Sequence, residues 1–123
     1  MRRISFTIII AYILLGCNKN TQAILKVEKE YNFGEIKKNE KIIHNFKIEN
    51  KSDVELKIEK IGTSCGCTVA SIKDSIINKN ESTEVKVIFT PSETDKGKIS
   101  KSIVILANTE PPYTSITLKG IIK

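Results

Sequence analysis

The sequence predicts an all-β domain, an immunoglobulin-like β-sandwich of about seven strands, and three observations carry that prediction. Apolar residues alternate with charged ones over short runs such as "VELKIEK", the period-2 pattern of a strand half-buried on a sheet. Turn-forming clusters, "ENKSD", "NKNES", "PSETDKG" and "NTEPP", separate these runs at short intervals. Isoleucine and valine supply much of the apolar content, and no window offers a sustained helical stripe, which favours strands over helices. A small barrel is the alternative arrangement of the same strands.

Each strand has its own signature. A first strand is expected around Leu25 to Glu30, and "IIHNFKIE" then sets Ile42, His44, Phe46 and Ile48 on one face. "VELKIEK" does the same with Val54, Leu56 and Ile58, and a short segment follows around Ser75 to Asn78. "EVKVIF" groups Val85, Val87 and Phe89. "SIVILAN" is apolar on both parities and suits a central strand, and "YTSITLKGIIK" closes the chain with Ile116, Leu118 and Ile122 on a shared side. The antibody-type marks are missing, because the chain has no tryptophan and Cys65 and Cys67 are separated by one residue.

The first residues read "MRRISFTIIIAYILLGCNKN". Two arginines precede an apolar run from Ile4 to Leu15, the n-region and h-region of a secretory signal. Twelve helical residues span only about 18 Å, short of a ~30 Å hydrocarbon core, so a transmembrane anchor is not expected. "LLGC", Leu14 to Cys17, resembles the bacterial lipobox, and the resemblance implies that Cys17 is lipidated and begins the mature chain. Several acyl chains together make a stable anchor. The expected organisation is therefore a lipoprotein signal peptide over 1–16, an acylated cysteine and polar tether over 17–23, and the sandwich domain over 24–123. Asn18 in place of aspartate leans towards the outer membrane, with the domain facing the periplasm or the exterior. The lipid bilayer is thus one expected partner.

Composition excludes some function classes. The formal charge is +6, and Arg2 and Arg3 of the leader supply two of those charges. The remaining charges are mixed in sign along the chain, as in "KVEKEY", whereas a nucleic-acid binder clusters basic residues and interleaves aromatics. No nucleic-acid partner is expected. The other partner class to expect is an envelope protein or a glycan.

Candidate chemistry concentrates in "IGTSCGCTVA", residues 61–70. The dithiol redox motif is C-x-x-C at a helix start, whereas Cys65 and Cys67 are C-x-C between strands. An intraloop disulfide requires a bend, because residues i and i+2 of an extended strand sit about 6.6 Å apart at Cα. Gly66 is the expected hinge. A disulfide and two packed thiols both remain open. Two thiolates are an incomplete zinc set, although copper(I) accepts two sulfurs. The lone His44 lies on an apolar strand face and reads as a packed or rim residue. "FGEI" and "DKGK" carry one glycine each, too few for a phosphate cradle, and read as strand-end turns. Tyr31, Phe33 and Tyr113 read as aromatic core. No paired-carboxylate or Ser-His-Asp pattern is present, so no enzyme activity, cofactor or metal is expected. The leading expectation is a non-enzymatic binding or adaptor module, with edge strands and loops as its contact surface. The alternative is an envelope thiol-redox or copper-handling protein acting through Cys65 and Cys67.

In order, "YNFGEI" (31–36), "FKIENKSDVELKI" (46–58), "SCGCT" (64–68), "VIFTPSETDKG" (88–97) and "ITLKGII" (116–122) resemble a bacterial family catalogued as domain of unknown function 1573. "SCGCT" is the most specific part, and "NKNES" departs from a proline-glycine pair often found in that turn. The resemblance implies an Ig-like domain common in envelope lipoproteins and supplies no activity.

Overall fold

The computed structural model describes residues 22–123. The predicted leader, Cys17 and most of the tether lie outside the described residues. Nine strands follow in order: β1 (Leu25–Val27), β2 (Glu30–Ile36), β3 (Ile42–Asn50), β4 (Leu56–Thr63), β5 (Thr68–Ile72), β6 (Ile76–Ile77), β7 (Ser82–Phe89), β8 (Gly97–Ala107) and β9 (Tyr113–Ile122). They form a four-stranded sheet, β1-β3-β7-β5, and a five-stranded sheet, β2-β9-β8-β4-β6. The fold is the expected Ig-like β-sandwich, in two separate sheets and not a closed barrel.

The alternating runs place their apolar sets between the sheets. Phe46, Ile48, Val85, Val87 and Phe89 of one sheet and Leu56, Ile103, Ile105, Ile116 and Leu118 of the other are fully buried. Each such side chain contributes about 1.5–3 kcal/mol from removal of its apolar surface from water. β8, apolar on both parities, is central to its sheet between β9 and β4, as its pattern predicts.

Two strands exceed the reading from sequence. The first predicted strand, Leu25 to Glu30, is divided: β1 pairs with β3 in one sheet, and β2 begins at Glu30 and pairs parallel with β9 in the other. "FGEI" belongs to β2, and the expected turn is a register shift between Asn32 and Glu35 where Gly34 adopts φ +78°. That left-handed conformation is open to glycine at little cost. The second addition is β5, "TVASI", which falls inside the stretch read as a loop. Ala23, assigned to the tether, is buried and bridges Thr109, so packing begins one residue before Ile24.

The registers give the sandwich two ends. Leu25 pairs with Asn50 and Leu56 with Ile77 at the end where Ala23 meets Thr109. At the other end Ile42 and Thr68 both pair with Phe89, and residues 64–67 connect β4 to β5 across the two sheets. The Ala23 end is fastened by Asn50, which is fully buried. Its amide donates to the Val54 and Ile77 carbonyls at 2.7 and 2.9 Å, and its Oδ1 accepts from Ser52 N and Oγ at 2.9 and 2.6 Å. A buried amide satisfied in this way costs little to bury and fixes the β3–β4 turn against β6.

Candidate functional site

Residues 64–67 carry the chain from one sheet to the other. Thr63 Oγ1 donates to the Cys65 carbonyl at 3.1 Å, and Ser64 N donates to the Ser102 carbonyl at 3.0 Å. Thr68 N donates back to the Cys65 carbonyl at 3.2 Å, which closes the turn, and Cys67 N points at Cys65 Sγ at 3.1 Å. The two sulfurs are in bonding contact and the Cα atoms lie 5.4 Å apart, shorter than an extended strand gives. The chain bends over residues 64–67; Gly66, the expected hinge, has no left-handed φ there, and a Cβ on it would meet nothing within 4 Å. The bend is therefore accessible to other residues.

This corner stands at the head of an open flank. β5 is an edge strand, and β6 covers β4 only at Leu56 and Lys57. Beyond Ile58 the outer side of β4 has no strand partner among the described residues. Ile61, Cys67, Ala70 and Ile72 pack on the core along this flank but are only half-buried. Thr90 N donates to the Cys67 carbonyl and Lys73 N to the Glu84 carbonyl, which makes the odd-numbered residues of β5 the hydrogen-bonded partners of β7. Antiparallel pairing alternates, so Ala70 and Ile72 direct their N–H and C=O groups outward. On the outer face, Ile43, Ile88 and Val69 stand in one register row across β3, β7 and β5. Val69 is 58% and Ile43 55% exposed. An open backbone edge beside an apolar row is a template for another strand.

The remaining candidates go elsewhere. His44 lies at the rim of the inner face, stacked on Tyr31 with ring centroids 3.5 Å apart and edge-on to Phe46 at 4.6 Å. Its Nε2 is buried without a hydrogen-bond partner among the described residues, and the Glu28 carboxylate stands 3.8 Å away. Among the described residues no group of three or more His, Cys, Asp or Glu is placed to hold a metal ion. Tyr31 and Phe33 pack on the core as read. Tyr113 does not, being 57% exposed, because it falls on the outward parity of β9, opposite Leu106. The β5 edge is not legible in the sequence because Ala70 and Ser71 dilute its apolar pattern.

Comparison with solved structures places the fold. A protein of unknown function from Porphyromonas gingivalis W83 superposes with a TM-score of 0.76 at 18% identity, over 88% of this chain and 51% of that one. This chain therefore spans about half the length of that relative. The PapD-like domain 7 of human CEP192 gives 0.67 at 12% identity, over 99% and 98%. The secreted serine protease VesC from Vibrio cholerae gives 0.63 at 10%, over 80% of this chain and 23% of that chain. At these identities the likeness is one of fold. No curated protein matches the sequence. A family model does match, over residues 24–122, from the start of β1 to the end of β9 and across the Cys65–Cys67 corner, and the chain belongs to that family, described as "Protein of unknown function (DUF1573)".

Proposed function

We propose that this chain is a lipid-anchored, non-enzymatic binding module of the cell envelope, held by an acylated Cys17, which takes an extended segment of a partner protein along β5. The observation that carries the reading is the flank itself: outward N–H and C=O groups at Ala70 and Ile72 beside the outer-face row Ile43, Ile88 and Val69, exposed at its two ends. Strand addition supplies affinity through main-chain hydrogen bonds and specificity through alternate side chains, and it would cover Ile61, Ala70 and Ile72. A glycan finds little purchase on an aliphatic row. In this reading Cys65 and Cys67 hold the corner that keeps β4 and β5 apart and leaves the flank open.

Two measurements test it. Radiolabelled palmitate is expected to enter the wild-type protein and not Cys17→Ser. The lipidated protein is expected to capture a protein from its own envelope extract, and Ala70→Pro is expected to lose that capture while keeping its melting temperature. Proline at position 70 removes no native hydrogen bond but denies an incoming strand its donor. Equal capture by both proteins would overturn the β5 assignment.

A further inference from the structure

We infer that the Ala23 end of the sandwich seats directly on the lipid bilayer through Ile24 and Tyr113, an inference that rests on the lipidation of Cys17. Ile24, just before β1, is 51% exposed, and Tyr113, at the start of β9, is 57% exposed. Both line one cleft of about 250 Å³ together with Lys29, Glu110 and Pro111. Large apolar side chains gathered at one end of a domain and left in water call for a cover.

The length of chain before the domain identifies that cover. Only residues 18–22 separate Cys17 from buried Ala23. The six Cα–Cα steps from Cys17 to Ala23 reach at most about 22 Å when fully extended, and the anchored cysteine sits at the glycerol level of the lipid. The headgroup zone takes up part of that reach, since it adds about 5–8 Å on each side of the hydrocarbon core. The Ala23 end is thus held within a few side-chain lengths of the membrane surface, and Ile24 follows the tether immediately.

The residues suit that depth. Tyrosine, with an apolar ring and a polar tip, favours the membrane–water interface. Lys29 carries a long stem that reaches phosphates while its methylenes stay on apolar surface. Glu110 offsets it in charge, so contact does not depend on anionic lipid. The far end, with the Cys65–Cys67 corner and the head of the β5 flank, then points away from the bilayer and stays free for a protein partner.

The test uses the full lipidated protein in vesicles of phosphatidylethanolamine and phosphatidylglycerol at 3:1. The chain contains no tryptophan, so Tyr113→Trp, Ile24→Trp and Val69→Trp each give a single reporter. Lipids brominated near the headgroup are expected to quench the reporters at 113 and 24 at least two-fold more than the one at 69. Acylation of Cys17 is read on the same samples by intact mass. Acylated protein with equal quenching at all three positions, or none at 113 and 24, overturns the seating and leaves the anchor standing. Protein without acyl chains at Cys17 overturns both.

Discussion

The ring of Phe33 in β2 occupies the space over Gly120 in β9 where any side chain would begin. A Cβ built on Gly120 would overlap three atoms of that ring. Phe33 in turn sits 6.0 Å from the Phe89 ring, so glycine at 120 lets the edge strand drop an aromatic onto the core. Gly120→Ala is expected to displace Phe33 and lower stability by about 1–3 kcal/mol, the usual cost of overpacking. Gly120→Ala combined with Phe33→Leu is expected to recover part of that loss. Equilibrium urea unfolding measures both.

The Cys65–Cys67 corner should contribute modestly. A three-residue loop closes little chain entropy, and the loop-closure relation gives about 1–2 kcal/mol for the bond. Cys65→Ser with Cys67→Ser is expected to fold, to lose about that much stability, and to bind its partner more weakly as the flank loosens. Gly66→Ala, at a position with free space and an ordinary φ, is expected to stay within about 0.5 kcal/mol of wild type, as surface substitutions do. Urea unfolding of both variants, with and without reductant, reads the two effects separately.

Acid sensitivity has a local source in the β7–β8 connection. The Ser92 backbone N–H donates to the Asp95 carboxylate at 2.8 Å and the Ser92 hydroxyl at 3.1 Å, which holds Asp95 below the usual aspartate range. On the outer sheet face, hydrogen bonds from Lys51 and then Lys47 lower Glu49 in the same way. A carboxylate whose folded pKa is depressed contributes stability above its unfolded pKa, and that contribution is lost as pH falls through the folded value. Asp95→Asn is therefore expected to flatten the fall in melting temperature below about pH 4, near the unperturbed carboxylate range. Thermal melts from pH 2 to 7 check it.

How much of this was legible in the sequence depended on the length and regularity of each pattern. β3, β4, β7 and β9 declare themselves because alternation runs long enough to fix a face, and β8 because an apolar run on both parities suits a central strand. β2 escaped because the register shift at Gly34 interrupts its parity, and β5 because Ala70 and Ser71 carry little apolar signal. The corner could be read as a bend but not as a sheet crossing, since only tertiary pairing assigns β4 and β5 to different sheets. His44 reads as a packed or rim residue from its strand face, whereas its stack on Tyr31 depends on the β1–β2 crossover, which no local pattern announces. Tyr113 reads as core from its aromatic character, but parity and its place two residues after Pro111 at a strand end turn it outward.

The central claim is that a partner strand docks along β5. A photo-crosslinking residue placed at Val69, in the lipidated full-length protein within its own envelope, tests it most directly against the same residue at Ser100 on the opposite sheet. The account predicts one discrete heterologous adduct from position 69, none from position 100, and loss of that adduct when Ala70→Pro is added. Equal adducts from both positions, an adduct that survives Ala70→Pro, or only a self-adduct between two copies of this chain would contradict it.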